Sequence, residues 1–128
     1  MKTKTKKLVP LNKLVKKTES VFNSFIRSRD CEGDWFVCIN CGKTKPKDEL
    51  QAGHLIPVSK SSFLRFHPDN VHGECSGCNA YDQAKVSYAM NLIKKIGLER
   101  VQWLSDNKRA GYKYCRTELD LIIQKYKL

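Results

Sequence analysis

Residues 38–41 read CINC and residues 75–79 read CSGCN, with thirty-three residues between Cys41 and Cys75. Two cysteines three positions apart on a tight turn can aim both thiolates at one ion, and two such pairs complete a tetrahedral four-sulfur site. The spacing predicts a structural zinc held by Cys38, Cys41, Cys75 and Cys78. Such a zinc would pin the stretch QAGHLIPVSKSSFLRFHPDNVHGE, residues 51–74. That stretch reads as a hairpin: a strand over 51–58 with His54 in it and Pro57 near its end, a loop over 59–69, and a return strand over 70–74. The return strand delivers the second cysteine pair.

Working outward, the residues 30–37 carry a turn at Gly33 and a short strand, Trp35-Phe36-Val37, that leads into Cys38. Gly42 suits the tight backbone of a zinc knuckle. Residues 43–50 read as a polar connection. Upstream, Pro10 suits a helix start. Leu11, Leu14, Val15, Val21, Phe22, Phe25 and Ile26 then follow helical spacing up to the break at Asp30. Downstream, Ala80, Ala84, Tyr88 and Leu92, with Ala89, Ile93 and Ile96, predict one helix running on from the last cysteine to a C-cap at Gly97. A second short helix is expected over 98–105 with Val101 and Leu104 inward. A last helix, capped by Thr117, would turn Leu119, Ile122, Ile123 and Tyr126 to the core. The class is α+β, divided into a basic tail and N-terminal helix (1–29), a zinc-bound core (30–97) and a C-terminal helical extension (98–128).

The 128 residues carry 24 Lys or Arg, 13 Asp or Glu and a net charge of +11. A polyanion is the partner such a balance suggests. The charge is uneven. Residues 1–29 hold nine basic residues against one Glu, residues 30–79 five against seven acidic, and residues 80–128 ten against five. A mildly acidic centre between basic flanks suits a divalent ion at the centre and phosphates around it. Lys13, Lys16, Lys17, Arg27, Arg29, Lys60 and Lys85 are the candidate DNA contacts. The lysine-rich residues 1–9 read as an arm that a polyanion would order. No apolar segment follows the basic N-terminus, so no secretory signal is read, and no apolar run is long enough to span a bilayer. A cytoplasmic setting, that of a bacterial host if the chain is phage-encoded, keeps the six cysteines reduced for metal. Cys31 and Cys115 fall outside the paired pattern and read as ordinary thiols.

Phosphodiester hydrolysis needs a base for water, a cation for developing charge, and a hold on the phosphate. Histidine titrates near working pH, so His54 is the candidate base. Asn79 follows the last cysteine directly, where its amide oxygen can point back at the hairpin and ligate Mg2+ or Mn2+. Asn70 can hold the hairpin loop by bonding its backbone. His72, two residues on and on the same face, can touch metal or phosphate, or simply be a polar strand residue.

A base histidine on a zinc-pinned hairpin, then an Asn, then Asn or His just after the last cysteine is the HNH pattern. More closely, the segments LNKLVKKTESVFNSFIRSRD, CINCGK, AGHLIP, DNVHGECSGCN and YAMNLIKKIG resemble the phage NinG (Rap) recombination nucleases, from about Leu11 to Gly97. The resemblance implies a treble-clef-like ββα-metal core with flanking helices. It also implies a structure-selective endonuclease for branched DNA such as Holliday junctions and D-loops. Junction resolution takes two cuts, so a homodimer is the matching expectation. Many HNH proteins carry Asp or His as a metal ligand just before the base; here Gly53 stands there. The second ligand is then open among His72, Asp82, Gln51 and water. Two other readings compete: a zinc-ribbon DNA-binding protein without catalysis, and an HNH nuclease acting on plain duplex.

Overall fold

The computed structural model describes residues 8–128. Its order is α1 (Leu11–Asp30), β1 (Cys31–Glu32), β2 (Trp35–Val37), β3 (Thr44–Pro46), β4 (Leu50–His54), β5 (Val71–Cys75), α2 (Ser76–Tyr81), α3 (Val86–Ile96), α4 (Leu98–Asp106) and α5 (Arg116–Tyr126). The strands form two small antiparallel sheets, β1-β2-β3 and β4-β5. The mixed α+β class is as expected.

Three apolar clusters arrange these elements around the β4-β5 hairpin. Helix α1 turns Leu14, Phe22 and Ile26 onto Phe66, Val71, Leu119 and Tyr126. The first and last helices thus share one core, and Phe22 meets Tyr126 edge to face at 5.0 Å. Tyr88 and Leu92 of α3 pack with Leu64, Ile39, Val101 and Leu104. Phe36, Leu50, Cys38 and Cys75 form a third cluster beneath the cysteine turn. The register Gly53↔His72 and His54↔Val71 fixes which side chains share a face.

Four expectations need correction. The polar connection over 43–50 is partly a strand, because Thr44–Pro46 pairs back onto Trp35–Val37. Strand β4 stops at His54 instead of Val58, since Asn70 side-chain bonds take over the backbone of Ile56. The single helix expected after Cys78 is two, broken at 82–85, where Lys85 turns left-handed at φ 53°. Helix α5 starts earlier and is capped by Cys115 rather than Thr117, with the Glu118 carboxylate accepting the Cys115 N–H at 3.1 Å. Gly97 does end α3, at φ 95°, and Val101 and Leu104 are buried. Among the described residues, no helix is long and apolar enough to cross a membrane.

Candidate functional site

The two cysteine pairs meet. Cys38 and Cys41 lie in the turn between β2 and β3, where Gly42 takes φ 72°, a region costly for any residue with a Cβ. Cys75 ends β5 and Cys78 lies one turn into α2. The four sulfurs lie within 4.8 Å of one another. Zinc–thiolate bonds of about 2.3 Å in a tetrahedron would space the sulfurs about 3.8 Å apart. The donor set therefore fits a structural zinc, and these four cysteines can hold a metal. The Cys75 N–H already donates to the Cys38 sulfur at 3.3 Å. The turn is also tied to the hairpin by Ile39 N–H on the Gly73 carbonyl, and to α3 by Asn91 Nδ2 on the carbonyls of Ile39 and Asn40. Cys31 and Cys115 stand apart from this cluster.

His54 ends β4 with its Nε2 3.0 Å from the Arg65 carbonyl. A carbonyl only accepts, so Nε2 carries the proton and Nδ1 of the neutral ring carries the lone pair. Burial lowers the His54 pKa; the Arg65 carbonyl opposes that shift and the nearby Lys85 charge adds to it. The net shift keeps the ring neutral, the form able to take a proton. Arg65 is itself ion-paired with Glu19 of α1, which anchors the loop that orients the histidine. Asn70 is fully buried. Its Oδ1 accepts from Ile56 N–H at 2.9 Å, and its Nδ2 donates to the carbonyls of Ile56 and Leu64. Asn70 thereby bonds both sides of the loop that follows His54.

The other face of the hairpin carries a second group. Asn79, within α2, donates from Nδ2 to Gln51 Oε1 at 2.8 Å, so its side chain does point back at β4. Its Oδ1 lies 3.4 Å from Lys85 Nζ. Lys85, read from sequence as a phosphate contact, is buried instead, with its ammonium 2.8 Å from the carboxylate of Glu74. Tyr88 donates its hydroxyl to the Gly53 carbonyl at 2.7 Å, holding α3 on the strand. Glu74 was not singled out by sequence reasoning. The available signal was its position two residues after His72 on the strand facing Gly53, where a glycine leaves room for a neighbour.

His72 is not brought to His54. Its Nε2 donates to the Asp69 carbonyl at 2.9 Å, and its Nδ1 accepts from Lys95 and Arg29 at 2.9 and 3.1 Å. Asp82 accepts the Lys85 backbone N–H. Lys13, Lys16, Lys17, Arg27, Arg29 and Lys60 are exposed; of these Arg29 also bonds Asp30 and the carbonyls of Pro68 and Val71. Lys60 lines a groove of about 790 Å³ between the hairpin loop and helices α3 and α4, with Lys85, Lys108 and Arg109 also on its walls.

The family model described as "Bacteriophage Lambda NinG protein" matches residues 1–128. Protein ninG of Escherichia phage lambda is 34% identical over 109 residues, covering 83% of this chain and 52% of that protein. Protein ninG of Salmonella phage P22 is 35% identical over 112 residues, covering 84% and 53%. The chain spans about half the length of these curated relatives. No solved structure matches it significantly. By the family match over its length, the chain belongs to the NinG family of bacteriophage lambda.

Proposed function

We propose that the chain is a metal-dependent DNA endonuclease with an HNH, or ββα-metal, core that cuts branched recombination intermediates. The observation that carries this reading is His54: a neutral imidazole whose Nε2 is committed to the Arg65 carbonyl, leaving Nδ1 as an oriented proton acceptor on a cysteine-pinned hairpin. Both nitrogens of His72 are hydrogen-bonded, whereas His54 Nδ1 has no hydrogen-bond partner among the described residues and His54, unlike His67, lies on the hairpin strand itself.

In this mechanism His54 Nδ1 takes the proton from the attacking water. The lowered pKa keeps that nitrogen unprotonated at neutral pH. Asn70 fixes the loop that carries the Arg65 carbonyl and so holds the ring's orientation. Asn79 would present its amide oxygen as a hard ligand for Mg2+ or Mn2+. That ion, when bound, would supply positive charge at the scissile phosphate and leaving oxygen. The exposed bases of α1 and the basic walls of the α3–α4 groove suit the phosphates of DNA arms.

The test is a nicking assay of zinc-loaded protein in Mg2+ or Mn2+ on a four-way junction and on linear duplex. Preferential cutting of the junction is expected. Equal cutting of both substrates would favour a plain-duplex nuclease. Junction binding without cutting in either metal would favour a zinc-ribbon binding protein.

A further inference from the structure

Gly53 leaves a hole on the α3 face of the hairpin, and Glu74 fills it. A Cβ on residue 53 would lie 2.2 Å from Glu74 Oε1, so the carboxylate stands where a side chain at 53 would begin. Glu74 has no solvent exposure. Its Oε2 accepts from Asn40 Nδ2 at 2.9 Å, and its Oε1 accepts from Lys85 Nζ at 2.8 Å. The same ammonium lies 3.4 Å from Asn79 Oδ1. Gln51 takes the Asn79 amide N–H on the other side and so keeps the amide oxygen turned toward the ammonium. A carboxylate oxygen and an amide oxygen thus converge on one cation, and that cation is a lysine. Lys85 reaches it from a left-handed backbone, the single non-glycine case among the described residues, a conformation disfavoured by its Cβ.

We propose that Glu74 and Asn79 are the oxygen ligands of the divalent-ion site, Glu74 supplying the carboxylate that position 53 lacks. Lys85 is a built-in cation that holds this site until the ion displaces its ammonium. The proposal rests on the nuclease reading, which calls for the ion and assigns it Asn79 alone. Hard oxygens suit Mg2+ and Mn2+. An ammonium and a divalent ion repel strongly at contact range away from bulk water, so loading requires Lys85 to leave. The groove it also lines offers a destination, because DNA phosphate held there by Lys60, Lys108 and Arg109 would pair with the released ammonium. Metal loading and DNA binding would then favour each other. The competing account is that Glu74 and Lys85 form a structural ion pair that only docks α3.

Mn2+ binding to zinc-loaded protein without DNA, followed by electron paramagnetic resonance of the free ion, separates the two. Mn2+ prefers oxygen ligands and leaves the thiolates to zinc. Lys85→Met should bind Mn2+ about tenfold or more tighter than wild type, because a like charge is removed. Lys85→Arg, which keeps the charge, should not. Adding Glu74→Gln to Lys85→Met should cost about tenfold or more of that affinity. Mn2+ should also raise the melting temperature of Lys85→Met more than that of wild type. Zinc content and circular dichroism check each fold, and Lys85→Gln replaces Lys85→Met should the latter not fold. The proposal is overturned if neither neutral variant binds Mn2+ more tightly, or if the double variant keeps the gain. Wild type that cuts junctions while these affinities stay level sinks this proposal alone. Affinities that shift as expected in a protein that never cuts support the site and sink the nuclease reading instead.

Discussion

At His54 and His72 one residue type meets two environments. Both lose basicity to burial, but His72 is boxed in by cations: Lys95 and Arg29 point donors at its Nδ1, and a protonated ring would lose that acceptor. Burial, then the charges of Lys95 and Arg29, bring its pKa to about 4. Beside it, burial raises the Asp30 pKa, but bonds from Arg29 and the Gly73 N–H prevail and hold it at about 2. The unfolded chain protonates His72 near its ordinary 6.5 and the folded chain near 4, so between these values the unfolded state binds more protons. The contribution is full above pH 6.5, falls as pH drops, and is gone below 4. For a side chain this buried it is on the order of 3 kcal/mol. The urea midpoint should therefore drop from pH 7 to pH 4, with His54 and His67, also shifted down, adding in the same direction. His72→Gln should make that slope shallower than wild type's, and equal slopes for the two proteins would contradict this. Residue type singled out His54, Asn70 and Asn79 as candidates in the sequence, because few residues can be base or hard amide ligand at those spacings. The structure places Asn70 on the hairpin loop and Asn79 against Gln51. Glu74 and Lys85 were not legible as a pair. Their contact depends on a helix break at 82–85 and on the empty side of Gly53, both of which are set in three dimensions.

The β4-β5 hairpin packs against α1 and α2 and is hydrogen-bonded to α3. Its ends are tied to the cysteine cluster, one face to α1 and the other to α3. The cysteine spacing declared the cluster, and the four sulfurs do come together within 4.8 Å. Apolar periodicity gave α1, and it placed Tyr88 and Leu92 correctly while missing the interruption before them. Ala80 and Ala84 kept the helical period by coincidence; Ala84 lies in the exposed break. Zinc bound by these four thiolates would contribute roughly 10 kcal/mol to folding. Cys38→Ser or Cys75→Ser should then lose the metal and most of the cooperative unfolding transition. Elemental analysis with a thermal melt checks this, and a wild-type protein that is folded and active without zinc would defeat it.

Along the chain, basic segments flank a mildly acidic one at residues 30–79, a pattern plain in the sequence. Which bases remain available was not, because Lys85 is buried against Glu74 and Arg29 is tied to neighbouring carbonyls, while Lys13, Lys16, Lys17, Arg27 and Lys60 are exposed without such bonds to the hairpin. Lys2, Lys4, Lys6 and Lys7 lie outside the described residues. If all four contact phosphate, deleting residues 1–9 should reduce the slope of log affinity against log salt by roughly three to four units. An unchanged slope would show that the arm contributes nothing. The central claim is that this charged frame serves a hydrolytic site with His54 as its base. Its most direct test is single-turnover cleavage of a four-way junction in Mn2+ by wild type and by His54→Ala, with zinc content and junction affinity measured on the same preparations. The account predicts a rate lower by roughly 10²–10⁴ for His54→Ala, with zinc and affinity near wild type; equal rates for the two proteins would contradict it.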